Sequence, residues 1–311
     1  MSDAPLFDVR VVALREETPD VVSCELRSTS GILPSCSPGA HVDVYLPNGL
    51  VRQYSVVLAS TDSYQLAVKR EPASRGGSAF MTDSLRLGSL LRISSPRNNF
   101  PLVASHGRTL LIAGGIGITA LLPMARSQAL RSNDWALYYL VRQPEDTVFK
   151  HVLSALGDHV HLHVASTHGR LSIEALVQEQ PIGTHFYCCG PASMLDAFVE
   201  ATSSLPGEQV HLERFGAQLS TEGEEFTIRL TRSGKTLRVA ADQTIIDVLQ
   251  TAGIDAPYSC QQGICGACEV KVLQGTPDHR DEVLTEAERS ANKTMMICCS
   301  RACSPELVLD L

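Results

Sequence analysis

Four cysteines constrain this chain more than any other feature. Three stand in the run Cys260-Gln261-Gln262-Gly263-Ile264-Cys265-Gly266-Ala267-Cys268, and a fourth, Cys298, follows later. The spacing C-x4-C-x2-C-x29-C is the plant-type pattern for a [2Fe-2S] cluster, which binds four thiolates. A loop that supplies three of them must bend its backbone around inorganic sulfur, and Gly263, Gly266 and Ala267 leave room for that approach. Zinc is the competing metal, but structural zinc sites usually pair two C-x2-C knuckles, whereas here one late cysteine faces a crowded loop. By spacing alone Cys299 would reach as well as Cys298; Cys303 reads as a bystander. A cluster only holds an electron, so the rest of the chain should show where that electron comes from.

A chain of 311 residues has room for two or three domains with cores of their own. The net charge of −8 argues against nucleic acid and against an anionic membrane surface as partners. No apolar run approaches the roughly 18 residues of a membrane span. The opening Met1-Ser2-Asp3-Ala4-Pro5 lacks the pattern of a signal peptide, so the cytoplasm is the expected compartment. In that setting ten cysteines point to metal or redox chemistry before disulfides. Cys24 and Cys36, in expected barrel segments, and Cys188, in a buried-looking strand, read as inert packing.

Residues 1–103 alternate short strands with Ser/Gly/Pro clusters, which predicts an antiparallel β-barrel. The expected strands include Val9–Val11, Val21–Leu26, His41–Leu46, Tyr54–Leu58 and Tyr64–Val68. Over 104–216 strands alternate with helices, the pattern of a doubly wound α/β sheet. A polar linker around Gln218–Gly223 leads to a third, α+β domain over 224–311, with a helix capped by Thr244 and stopped at Gly253.

Each domain carries a candidate site. In the barrel, Arg52-Gln53-Tyr54-Ser55 offers a charge, a phenol and a hydroxyl to a flavin, at the start of a strand. Alone the tetrapeptide is also what an exposed strand looks like. Val68-Lys69 and then Arg75-Gly76-Gly77-Ser78, at a helix start, add exposed amides and a hydroxyl suited to a phosphate. In the second domain Gly114-Gly115-Ile116-Gly117-Ile118-Thr119 links a strand to a helix, as a pyrophosphate-binding turn does. Cys189-Gly190-Pro191 ends a later strand, and two such turns on one sheet edge make a crevice. Cys189 is placed beside the nicotinamide, and Arg142, ending another strand, is within reach of a phosphate or ribose.

Taken in order, these stretches resemble the phthalate dioxygenase reductase family, which includes vanillate demethylase reductases. Pro96-Arg97-Asn98-Asn99-Phe100 and His211-Leu212-Glu213-Arg214-Phe215 extend the resemblance over nearly the whole chain. It implies a flavin domain, a nicotinamide domain and a β-grasp ferredoxin domain, with FMN rather than FAD, and NADH rather than NADPH. It selects Cys298 as the fourth ligand, because the family's last cysteine precedes one residue and then Ser-Arg-Ala, here Ser300-Arg301-Ala302. It places Phe215 against the flavin face. Two positions depart from the family: Ala120 replaces a usual proline, and Ala165-Ser166-Thr167 stand where acidic residues often favour NADH. The implied activity passes electrons from NAD(P)H through flavin and cluster, one at a time, to the Rieske component of an oxygenase. Plant-type clusters lie near roughly −400 mV, low enough to reduce a Rieske centre of about −150 mV or above. A haem or diiron monooxygenase as acceptor, or a redox-sensing module without turnover, are the alternatives.

Overall fold

The computed structural model describes residues 5–72, 74, 76–104, 107–215, 223–258, 263, 266–281 and 283–311. The chain divides into two compact units, Met1–Phe215 and Gly216–Leu311.

The first unit opens with β1 (Leu6–Thr18), β2 (Val21–Ser28), β3 (His41–Tyr45), β4 (Val51–Ser55), β5 (Leu58–Ala59), β6 (Ser63–Lys69) and β7 (Leu90–Ser94). Their order is β4-β3-β7-β1-β2-β6-β5, so β4 and β5 sit at opposite edges although only Val56 and Val57 separate them. The Val56 amide donates to Ala40 O and the next amide, Val57, to Gln65 O (2.9 and 2.8 Å). One peptide step therefore carries the chain from the β3 edge to the β6 edge and closes the barrel. For the same reason the strand expected over Tyr54–Leu58 is two strands, and Arg52–Ser55 ends β4 instead of opening a strand. Alternate residues such as Val9, Val11, Leu26, Val42, Val44 and Leu66 fill the interior. Cys24 belongs to that core, whereas half-buried Cys36 lies in the β2–β3 connection.

Helix α1 (Gly77–Ala79), continued by a wider turn over Phe80–Ser84, precedes β7. The parallel sheet then forms from β8 (Thr109–Gly114), β9 (Trp135–Val141), β10 (Val160–Val164), β11 (His185–Cys189) and β12 (Val210–Glu213). Their connections carry α2 (Ile118–Leu130), α3 (Lys150–Ser154), α4 (Ala165–His168), α5 (Ile173–Gln178) and α6 (Ala192–Thr202). Every residue of β8 is buried, as a strand covered on both faces requires. The order β10-β9-β8-β11-β12 reverses between β8 and β11. One apolar cluster joins Val21, Val57, Ala67 and Phe100 to Leu121, Met124 and Tyr187. The Tyr187 hydroxyl also accepts the Val103 amide at 2.9 Å. Barrel and sheet thus share a core across the expected boundary at 103/104.

The second unit orders β13 (Phe226–Leu230), β14 (Thr236–Val239), β15 (Glu269–Gln274), β17 (Thr294–Met296) and β19 (Glu306–Leu309) as β14-β13-β19-β15-β17. A separate pair joins β16 (Pro277–Asp278) to β18 (Arg301–Ala302). Strands β13 and β19 are parallel and the other pairs antiparallel, the arrangement of a β-grasp sheet. Helix α7 (Ile245–Thr251) packs its apolar face on that core. The Thr244 hydroxyl accepts the Asp247 amide at 3.1 Å, and Gly253 takes a φ of 67°, so both expected helix ends are present. Helix α8 (Glu286–Ala291) leads into β17. Residues 218–222 of the expected linker lie outside the described residues.

Candidate functional site

The flavin-suited residues converge from two elements. Arg52 crosses from β4 to the start of α1, where a Cβ on Gly77 would lie 2.6 Å from Arg52 Cγ and 2.7 Å from its Nε. A methyl at position 77 would displace the Arg52 side chain. Gly76 has a φ of 95°, which turns the chain into the helix. There the Ser74 hydroxyl accepts the amides of Gly76 and Ala79, each at 3.2 Å, and the Ser78 hydroxyl at 2.9 Å. Ser74 thus satisfies two amides and a hydroxyl of this turn, and a guanidinium beside such a turn suits a phosphate. Gln53 and Ser55 alternate with Arg52 and Tyr54 along β4, and the buried Gln53 Nε2 has no hydrogen-bond partner. An orphaned donor there is consistent with a polar ligand edge. Burial pushes the Tyr54 phenol pKa up. Val68 points into the barrel core and offers only its backbone, while Lys69 lies 3.4 Å from Asp20. Arg75 lies outside the described residues.

The two glycine turns meet at the reversal between β8 and β11. A Cβ on Gly117 would fall 2.1 Å from Cys189 O, and one on Gly190 would fall 3.1 Å from Gly114 Cα. Gly115 has a φ of 52°, and the Thr119 hydroxyl ties back to Ile116 O at 2.9 Å. Ile116 rests on the core, and Pro191 caps α6. This crevice is where doubly wound sheets bind nucleotides. Exposed Arg142 follows β9 and its carbonyl accepts the Ser166 amide at 3.0 Å. Between Ala165 and Arg170 there is no acidic residue.

Cys189 is fully buried, and its thiol is held well above the usual pKa by burial, then by Glu213 and Cys188. It is a neutral wall of the crevice. Phe215, half-buried, packs on the same core cluster. Glu213, which the sequence did not single out, stands beside Cys189. It pairs with Cys189 across β11–β12, its Oε2 is buried without a partner, and burial pushes its pKa up to about 8. A glutamate between Leu212 and Arg214 reads as an ordinary strand residue; only the pairing register reveals its position.

Of the cluster cysteines, Cys260 and Cys265 lie outside the described residues. Cys268 and Cys298 are both buried. Hydrogen bonding to Cys268, then to Cys299, and then burial push the Cys298 thiol pKa up, which puts Cys298 beside each of these two cysteines. Gly263 and Gly266 take φ values of 73° and 74°, the left-handed turns that a tight loop needs. Buried soft sulfur donors beside a glycine-turned loop suit an iron–sulfur cluster. Cys303 is exposed.

Residues 228–303 match the family of the 2Fe-2S iron-sulfur cluster binding domain. Over 310 residues the chain is 44% identical to the phenoxybenzoate dioxygenase subunit beta of Ectopseudomonas oleovorans, covering 97% of each chain. It is similar to the solved structure of phthalate dioxygenase reductase, a modular structure for electron transfer from pyridine nucleotides to [2Fe-2S]. That match has a TM-score of 0.84 and 36% identity and covers 98% of both chains. An intact type IV self-sufficient cytochrome P450 monooxygenase matches at TM-score 0.74 and 39% identity, over 98% of this chain and 41% of that one.

Proposed function

Because the chain belongs to the phthalate dioxygenase reductase family, we propose that it is the NADH-dependent reductase of a Rieske-type oxygenase acting in the cytoplasm. Its working parts divide as a flavin module over 1–103, a nicotinamide module over 104–216 and a ferredoxin module over 224–311. Flavin, nicotinamide and cluster supply the conversion of a two-electron donor into single electrons.

The observation that carries this reading is the meeting of Gly114–Thr119 with Cys189–Pro191 at the sheet reversal, in the same unit as the Arg52–Gly77 seat. Arg52, Gly76, Gly77 and Ser78 hold a terminal phosphate, which favours FMN over FAD. Gln53, Tyr54, Ser55, Val68 and Lys69 line the remainder of the flavin. Gly114, Gly115, Ile116, Gly117 and Thr119 take the dinucleotide phosphates, and Arg142 its outer phosphate or ribose. Cys189, Gly190 and Pro191 bound the nicotinamide, and Phe215 lies against the flavin ring. Cys260, Cys265, Cys268 and Cys298 ligate the cluster. Glu213, neutral at pH 7 through burial, can hold a proton beside Cys189 without adding a charge to the crevice.

Likeness to part of a self-sufficient cytochrome P450 monooxygenase favours haem as the second choice of acceptor. The test is direct. The purified, cluster-replete protein is denatured, the released flavin is chromatographed against FMN and FAD, and NADH-driven reduction of Rieske and haem oxygenase components is followed. FMN with Rieske reduction is expected. FAD would overturn the flavin assignment, and reduction of haem partners alone would overturn the acceptor.

A further inference from the structure

Cys299 stands next to the assigned ligand, yet its thiol is turned to a different task. A Cβ on Gly263, in the cluster loop, would lie 2.6 Å from Cys299 Sγ, 3.3 Å from Cys299 Cβ and 3.2 Å from Asp281 Cα. The Cys299 side chain therefore occupies the space that any side chain at 263 would need. Cys299 is buried, and its Sγ is anchored by Met296 O at 3.6 Å and lies 3.8 Å from Ser300 Oγ.

The other side of this seat is equally fixed. The Asp281 side chain is wholly buried, and its Oδ2 accepts the amides of Val283 and Leu284 at 3.1 and 2.8 Å. Arg289 donates to the Asp281 carbonyl, and His279 Nδ1 lies 3.8 Å from Oδ1. A Cβ on Gly266, the second left-handed glycine of the loop, would meet Val283 Cγ1 at 3.5 Å. Asp281, Val283 and Cys299 thus face Gly263 and Gly266, the two described left-handed glycines of the loop.

We propose that Cys299 is a positioning residue for the cluster loop, its thiol forming with the Asp281 backbone the seat on which Gly263 rests. It is neither a spare ligand nor a bystander. Loop position sets which amides reach the cluster sulfurs, and hydrogen bonds to those sulfurs tune the cluster. Removing the thiol leaves a void behind the loop, which relaxes only in part.

The inference rests on the assignment of Cys298 as ligand, and four variants separate the two. Cys298→Ser, Cys299→Ala, Gly263→Ala and the double variant Gly263→Ala/Cys299→Ala are made in the full chain. The readouts are the EPR g-values of the reduced cluster and the lifetime of its visible absorption in the presence of a chelator. Cys299→Ala is expected to bind a cluster whose g-values are shifted and whose lifetime falls several-fold. Gly263→Ala should shorten the lifetime further, because its new methyl meets Sγ, and the double variant should recover part of that loss. If Cys299→Ala abolishes the cluster while Cys298→Ser keeps it, the ligand assignment is overturned. If Cys298→Ser abolishes it but Cys299→Ala leaves g-values and lifetime unchanged, the assignment stands and the positioning role is overturned. A double variant no better than Gly263→Ala overturns the steric seat in particular. Should Gly263→Ala fail to accumulate, Cys299→Ser decides, since a smaller hydroxyl is expected to shift the g-values less than alanine does.

Discussion

The Cβ that Gly117 lacks would fall 2.1 Å from the carbonyl oxygen of Cys189. That approach locks the turn after β8 to the last peptide of β11, so the two glycine turns have one geometry. Gly117→Ala must push the turns apart, because backbone atoms cannot swing away as a flexible side chain would. Overpacking of this kind costs about 1–3 kcal/mol, or roughly 2–12 °C in the melting temperature of a unit this size. Trp135 is the single tryptophan and is buried on β9, so its fluorescence reports this unit alone. We expect a lower midpoint by that probe and a higher KM for NADH.

Arg52 and Gly77 give a second expectation. Arg52→Ala removes charge-assisted contacts worth about 1.5–3 kcal/mol, which corresponds to roughly tenfold to a hundredfold weaker flavin binding. Gly77→Ala should weaken binding as well, since its methyl displaces the Arg52 stem from the turn. Flavin fluorescence titration of the apoprotein measures both. Equal affinity in Arg52→Ala and parent protein would remove Arg52 from the phosphate site.

Glu213 makes the stability of the first unit depend on pH. Its pKa rises from 4.5 to about 8 on folding through burial. The folded chain therefore keeps a proton that the unfolded chain has lost between those values. The stabilisation is complete below about pH 4.5 and is lost as pH climbs through about 8, with a slope of at most about 1.4 kcal/mol per pH unit. Glu213→Gln cannot titrate. The difference in urea stability between parent and variant, read at Trp135, should drift against the parent from pH 5 to 8. His41 and His211, whose pKa values are lowered mainly by burial, titrate in both proteins and cancel in the difference. A pH-independent difference would show that Glu213 is ionised throughout.

The sequence revealed chemistry where a motif is also a local backbone shape. Gly263, Gly266, Gly115 and Thr244 were legible because left-handed turns and helix caps are written in neighbouring residues. What it hid depends on pairing across distance. Nothing near Arg52 says that its strand ends at Ser55, because the amides of Val56 and Val57 find partners at Ala40 and Gln65. The apolar run Val56–Leu58 continues the strand pattern by itself. Likewise Glu213 acquires its place only from the β11–β12 register, and Cys299 from the opposite side of the cluster loop. A split at 103/104 follows the change of rhythm in sequence, whereas the shared core through Phe100 and Tyr187 is a property of packing alone.

Arg301 shows how a residue first noticed as part of a motif carries structure. It is buried and donates to the carbonyls of Gln243, Glu224 and Ala240 at 2.7, 3.1 and 3.1 Å. Its guanidinium also lies 5.2 Å from the Phe226 ring centre. One planar fork therefore ties the strand after Cys298 to the entrance of the second unit and to the turn before α7. Lysine has the charge but not the fork and cannot satisfy three carbonyls in these directions. Each lost charge-assisted hydrogen bond costs about 1.5–3 kcal/mol, so Arg301→Lys should lower the temperature at which cluster absorption disappears. The Trp135 transition of the first unit should stay where it is. A variant in which both transitions fall together would mean that the second unit does not unfold on its own, and that Arg301 supports more than the β-grasp sheet.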